Sequence, residues 1–289
     1  MSPSEDDVVA AVLASRRYRS LHPPLVLRVA RAQASGARSS AELVKRTKRA
    51  LHQIFGAYLP TPPRYERLLE DLEATRDDAD VRAALRRAMA QHASTRERLD
   101  HLEPFYAALA ERVGTPRSVL DVACGLQPLA LPWWGLPAGA EIHAWDIDTA
   151  LVAFVGACLG RLGFDARAAA VDLLDVPATA WPVTEVALVL KTLPCLEQQA
   201  PGAGEALLAA IPAPRLVVSF PTRSLGGRAK GMGASYARRF EALLAGRDWQ
   251  ADAFEVGPGL VYVVTRPPAR NADDSEGAGP AAALVPSTS

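Results

Sequence analysis

Asp146 and Asp172 close two short apolar runs, "IHAWDI" and "VDLLDV", and an earlier run, "SVLDVA", leads into a turn whose single glycine is Gly125. In open parallel sheets ligands bind outside the carboxyl ends of the strands, where the first turn lets the backbone come close. Asp146 follows Gly125 by 21 residues, the place from which a carboxylate accepts hydrogen bonds from ribose hydroxyls. Asp172 and Leu173 offer an acceptor for an exocyclic amine and a flat apolar surface for a purine. A lone aspartate at a strand end is equally well explained as a cap. Two at successive strand ends, with Gly125 beside them, make an adenosine-shaped set of groups.

The missing glycines select among adenosine cofactors. "DVACGLQP" offers Ala123, Cys124 and Leu126 where a dinucleotide fingerprint needs glycines to bring amides against a pyrophosphate. S-adenosylmethionine has no phosphate and asks for less: an acid for the ribose, an edge for the adenine and a cationic or amide contact for its carboxylate. Cys124, Cys158 and Cys195 are too few and too scattered for a disulfide framework or a CxxC site, and the five histidines lack ligand spacing, so no metal is implied. The cysteines are read as packed thiols.

The elements that position these groups change character along the chain. From Glu5 to about Leu109 apolar residues recur at spacings of three and four, as in "SAELVKRTKRALHQIFGAYL" and "ADVRAALRRAMAQHA", which predicts an all-helical region. Ser40 stands as an N-cap, and Pro63 and Pro104 mark helix starts. After Thr115 six short apolar runs, "SVLDVA", "EIHAWDI", "DARAAAVDLL", "EVALVLKTL", "PRLVVSFP" and "LVYVVTRP", alternate with helical stretches. That alternation predicts an α/β fold: a Rossmann-like parallel sheet with helices on both faces, preceded by the helical extension. The expected division is residues 1–104 for the extension, 105–266 for the sheet domain and 267–289 for a disordered Pro, Gly, Ala and Ser tail.

Net charge is zero over the 289 residues, but it is unevenly spread. Between Arg16 and Arg64 eleven Lys and Arg face the single acid Glu42, a local charge of +10. Between Arg215 and Arg247 seven bases face Glu241, a local charge of +6. Such segments suit a polyanionic partner, against the plainer reading of a solvated face. The N-terminus carries acids where a secretory signal carries bases, and there is no uncharged apolar run of about 18 residues, so a cytoplasmic protein is expected.

Four stretches, "HASTRERL", "SVLDVACGLQPLALPWW", "LVLKTLPCLEQQ" and "VVSFPTRSLGGRAKGM", resemble the aminoglycoside-resistance 16S ribosomal RNA methyltransferases of actinomycete antibiotic producers. The resemblance implies methyl transfer from S-adenosylmethionine to N7 of one guanosine in the decoding A site of 16S rRNA, within the assembled 30S subunit, by a protein expected to be a monomer. It assigns His92, Ala93, Ser94, Thr95, Arg96, Glu97 and Arg98 to the cofactor, with Arg98 on the methionine carboxylate, to which a guanidinium fork is suited. Ala123 and Gly125 then line the methionine end, Asp146 the ribose, and Asp172 with Leu173 the adenine. Leu190 and Gln199 close the pocket, with Phe55 reaching in from the extension. On the RNA side it implies Arg16, Arg17, Lys45, Arg46, Lys48 and Arg49 in the extension, and Arg223, Arg228 and Lys230 after the fifth strand.

Guanosine N7 carries a lone pair and no proton at neutral pH, so its methylation needs no general base and no catalytic residue beyond those that position it. A stacked guanosine hides that atom, so extrusion of the base is expected; Trp133 and Trp134 are candidate stacking partners, though indoles in a "PWW" run suit core or lid packing at least as well. Two other readings use the same residues: a small-molecule methyltransferase, which has no need of the basic extension, and a non-catalytic RNA-binding protein on a degenerate methyltransferase fold.

Overall fold

The computed structural model describes residues 4–55, 63–221, 232–257 and 259–267. Among them the helices are α1 (Glu5–Leu13), α2 (Pro23–Gln33), α3 (Ser40–Phe55), α4 (Tyr65–Glu73), α5 (Asp78–Met89), α6 (Ala93–Arg96), α7 (Leu102–Val113), α8 (Thr149–Arg161), α9 (Leu193–Glu197), α10 (Ala203–Ala210) and α11 (Met232–Leu244). The strands are β1 (Ser118–Val122), β2 (Glu141–Asp146), β3 (Asp165–Ala170), β4 (Val186–Leu190), β5 (Arg215–Pro221), β6 (Gln250–Val256) and β7 (Gly259–Thr265).

One seven-stranded sheet has the order β3-β2-β1-β4-β5-β7-β6. β1 to β5 are parallel, whereas β7 runs antiparallel to β5 and β6 antiparallel to β7. The sheet is thus mixed rather than wholly parallel. β6, absent from the sequence expectation, is an edge strand whose residues are mostly exposed, so it has no apolar run to betray it.

The side-chain alternation of β1 divides the core between two faces. Val119 packs with Ile142, Val186, Val217 and Val263 against α5, α7 and α8. Leu120 and Val122 pack with Ala187, Val189, Leu216 and Val218 against α10 and α11. Leu72, Leu85 and Met89, from α4 and α5, lie in the first of these cores, so those helices cover the sheet. α1, α2 and α3 build their own cluster around Val12, Leu25, Val29 and Leu51.

That outer trio is fastened beside the carboxyl end of β2. Leu21 forms an isolated antiparallel bridge with Asp148. His22 N donates to Ile147 O at 2.8 Å, Thr149 N donates to Ser20 O at 2.6 Å, and Ser20 Oγ donates to Asp148 Oδ2 at 2.8 Å. The other Asp148 oxygen caps α8, accepting from Ala150 N at 2.9 Å and Leu151 N at 3.0 Å.

Candidate functional site

The strand order reverses between β1 and β4, and an open cleft lies there, over the carboxyl ends of β1, β2, β3 and β4. Ala123, Asp146, Asp172, Leu173, Leu190 and Gln199 line it, as do His92 and Ser94 from the segment before the sheet. Leu21, Leu25 and Ile54 form another wall. Those three come from the helical extension, for which only a touch by Phe55 was expected at the cleft. The side chain of Phe55 lies outside the described residues.

Asp146 is held by backbone. Its Oδ2 accepts from Gly125 N at 2.8 Å and its Oδ1 from Ile147 N at 2.7 Å. Burial lifts its carboxyl to about 6, with those two N–H groups pulling the other way. Gly125 is needed twice over: its φ is +52°, and a Cβ there would stand 2.9 Å from His92 Cε1. His92 is 7% exposed, its Nδ1 lies 2.8 Å from Ser94 Oγ, and burial lowers its ring to about 4.

The segment "HASTRER" sends its side chains different ways. Thr95 turns inward, donating to Met89 O at 2.6 Å, and Arg96 is exposed. Glu97 pairs with Lys191, whose side chain is 9% exposed. Arg98 is buried, with Nη1 donating to Gln127 Oε1 at 2.6 Å while Gln127 Nε2 donates to Tyr106 OH at 2.8 Å. Its guanidinium forms no ion pair among the described residues, and burial holds its pKa below the usual value. Arg98, Lys191 and Ser219 line a second, smaller cavity next to the cleft, in which the Ser219 hydroxyl has no hydrogen-bond partner among the described residues. A buried cation and an unsatisfied hydroxyl suit an anionic end group.

Lys191 was not singled out in the sequence. It and Ala123 are the non-glycine residues with positive φ among those described, at 60° and 50°, and each follows a strand that ends at the cleft. Lys191 lines both cavities. The one signal available was "VLKTLP", a lysine directly after a fully apolar strand.

Several expected contributors lie elsewhere. Trp133 is packed outside, with the Arg82 and Arg86 guanidinium carbons 5.0 and 5.4 Å from its ring centroid and its Nε1 donating to Glu103 at 2.9 Å. Trp134 is 3% exposed, with its Nε1 on Gly114 O at 2.9 Å. Neither indole lines the cleft, because the turn after β1 winds into a short helix that carries both away from it. Cys124 is a buried thiol pushed well above its usual pKa by burial.

Among the basic residues, Arg16, Lys45 and Arg49 are exposed, and Arg17 and Lys48 are half-buried. Arg46 is tied back, its Nη2 2.5 Å from Glu42 Oε1 and its Nη1 donating to Ser35 O at 3.0 Å. Arg31 pairs with Glu5, and Arg28 with Asp172, so the +10 segment presents fewer open cations than its sequence implies. In the second segment Arg215 donates to Val113 O at 2.9 Å and Arg247 pairs with Glu205. Arg223, Arg228 and Lys230 lie outside the described residues.

The ribosomal RNA methyltransferase (FmrO) family model matches residues 14–263. A 16S rRNA (guanine(1405)-N(7))-methyltransferase of Micromonospora echinospora is 46% identical over 270 residues, spanning 90% of this chain and 96% of that protein. One of the same name from Serratia marcescens is 37% identical over 261 residues, spanning 90% and 98%. Among solved structures, the 16S rRNA methyltransferase RmtF in complex with S-adenosyl-L-homocysteine superposes with a TM-score of 0.79 at 35% identity, covering 92% of this chain and all of that one. The 16S rRNA methylase RmtB does so at 0.76 and 31%, covering 91% and 99%.

Proposed function

The chain belongs to the ribosomal RNA methyltransferase (FmrO) family, and from that premise we propose that it methylates N7 of guanine 1405 of 16S rRNA, the reaction named for its relatives. It is an S-adenosylmethionine-dependent enzyme; the cofactor, when bound, supplies a methyl group activated on a sulfonium. The observation that carries the reading is the pair of carboxylates, Asp146 and Asp172, at the ends of adjacent strands in one cleft, with the buried Arg98 guanidinium, which has no ion-pair partner among the described residues, in the cavity beside it. Asp146 would accept from the ribose hydroxyls, Asp172 and Leu173 would hold the adenine, and Arg98 would take the methionine carboxylate. Thr95 and Arg96 would serve that segment only through its shape.

No residue need move a proton at N7, so the protein's work is positioning and the exclusion of water. The substrate is the assembled 30S subunit, met by a cytoplasmic monomer. The exposed bases Arg16, Lys45 and Arg49 of the 1–104 extension grip its phosphates, and Arg223, Arg228 and Lys230 hold the target strand. Aminoglycoside resistance follows from blocking N7 in the decoding site.

Labelled methyl transfer to isolated 30S subunits, free 16S rRNA and aminoglycosides, run in parallel, tests this. Incorporation into 30S alone, with chain scission at guanine 1405 after borohydride and aniline, is expected. Labelled aminoglycoside would establish the small-molecule reading instead.

A further inference from the structure

Arg28, on α2, turns inward and grips the adenine end of the cleft. Its Nε donates to Asp172 Oδ2 at 2.5 Å, and its Nη2 donates to Asp172 Oδ1 and to Gln199 Oε1, each at 3.1 Å. Leu174 N adds a bond to Asp172 Oδ1 at 3.2 Å. The Asp172 side chain is 5% exposed. A carboxylate offers about four lone-pair directions, so with three donors in place roughly one acceptor direction is left. Gln199 is held at both ends as well, its Nε2 donating to Cys195 O at 3.3 Å.

A guanidinium fork meeting a carboxylate through two parallel bonds fixes the plane of that carboxylate, which a single lysine-like charge does not. A mere strut between extension and sheet would sit at a rim. This one sits on a cleft-lining acid and a cleft-lining amide, and Leu25, three residues earlier on the same helix face, is itself part of the cleft wall.

We propose that Arg28 is a positioning residue for the cofactor: it sets the plane of the Asp172 carboxylate so that its free acceptor receives the exocyclic amine of adenine. Recognition of the base is thereby a joint property of the extension and the sheet. The proposal rests on Asp172 being the adenine acceptor, and its test separates the two.

S-adenosylhomocysteine and its analogue with unsubstituted purine in place of adenine are titrated calorimetrically into wild type, Arg28→Ala, Arg28→Lys and Asp172→Ala, with an unfolding midpoint for each. Wild type should prefer the amine-bearing ligand by roughly 10–150-fold, the range of one hydrogen bond to a charged group. Arg28→Ala should bring that preference to within about threefold, and Arg28→Lys should restore part of it. Arg28→Met, which keeps an apolar stem beside Leu25, replaces the alanine variant if that one does not fold. If Arg28→Ala weakens both ligands by one common factor, or neither, Arg28 is only a strut and the proposal falls. If Asp172→Ala keeps the preference, the adenine assignment itself is wrong and there is nothing for Arg28 to position.

Discussion

The Lys191 ammonium rests on the Glu97 carboxylate, joining the residue after β4 to the end of α6 at the boundary between the two cavities. Lys191 holds this pair with a left-handed backbone, a conformation that costs a non-glycine residue about 1–2 kcal/mol and persists only where surrounding contacts impose it. Glu97→Gln and Lys191→Met should each destabilise the fold by about 1–3 kcal/mol, since each strands a group that is largely out of water. The double variant should cost at least 1 kcal/mol less than the two singles together. Urea unfolding measures all three, and strictly additive losses would mean that the pair does no joint work.

Cofactor affinity should follow the ionisation of Asp146. Its folded pKa, about 6, lies above the ordinary carboxylate value, so in the free protein the acid is neutral below that pH and charged above it. Ribose hydroxyls donate to the charged form. Affinity for S-adenosylhomocysteine should therefore be full above pH 7 and fall towards about tenfold per pH unit below 6. Asp146→Asn should lower affinity at pH 7.5 and flatten the profile. A wild-type affinity constant from pH 5 to 7.5 would remove Asp146 from the ribose site.

His92 links stability to pH. Burial lowers its folded pKa to about 4, so the unfolded chain takes up its proton first as pH falls. The stability it contributes is complete above about pH 6.5 and is lost progressively down to about 4. His92→Gln should shrink the acid-side drop in unfolding free energy over that window. An unchanged drop would place the acid sensitivity elsewhere.

Gly125→Ala brings a Cβ to 2.9 Å from His92 Cε1 at a φ of +52°, a clash and a strained backbone together. A loss of about 1–3 kcal/mol in stability is expected, with weaker cofactor binding because Gly125 N is a fixed donor to Asp146. Adding His92→Ala should recover the clash but not the backbone strain, so partial rescue of the unfolding midpoint is the expected reading. Complete rescue would show that the left-handed turn costs nothing here.

Reversing Lys45, Lys48 and Arg49 to Glu should leave cofactor affinity nearly unchanged and weaken 30S binding strongly, with roughly 0.7–0.9 lost from the salt slope for each phosphate contact given up. Arg46 is left in place because its bonds to Glu42 and to Ser35 O hold the turn between α2 and α3. Normal 30S binding by the triple variant would move the docking surface to Arg223, Arg228 and Lys230.

What could be read from the sequence followed the strength of local patterning. β4, "VALVL", is buried at every position and announced itself, and Asp146 and Asp172 were visible because a polar residue ends each apolar run. β6 escaped because an exposed edge has no apolar period, and the antiparallel turn of β7 leaves no mark in "LVYVVT". Arg28 looked like one more base on a basic helix; its partner lies 144 residues away, and no spacing rule spans that distance. For Trp133 and Trp134 the structure decides for packing over stacking. Their place next to the cofactor turn in sequence is undone by a short helix that points both indoles elsewhere.

The Leu21–Asp148 bridge, with Leu21, Leu25 and Ile54 on the cleft wall, also bears on how this architecture is assembled from parts. The extension is not a cartridge that snaps onto a self-sufficient catalytic unit. A chimera that replaced α1, α2 and α3 with another helical module would open the cleft on one side and unhook the loop after Asp146. Any such transplant must carry Leu21, Leu25 and Ile54 with it, so the extension and the cleft wall are inherited together.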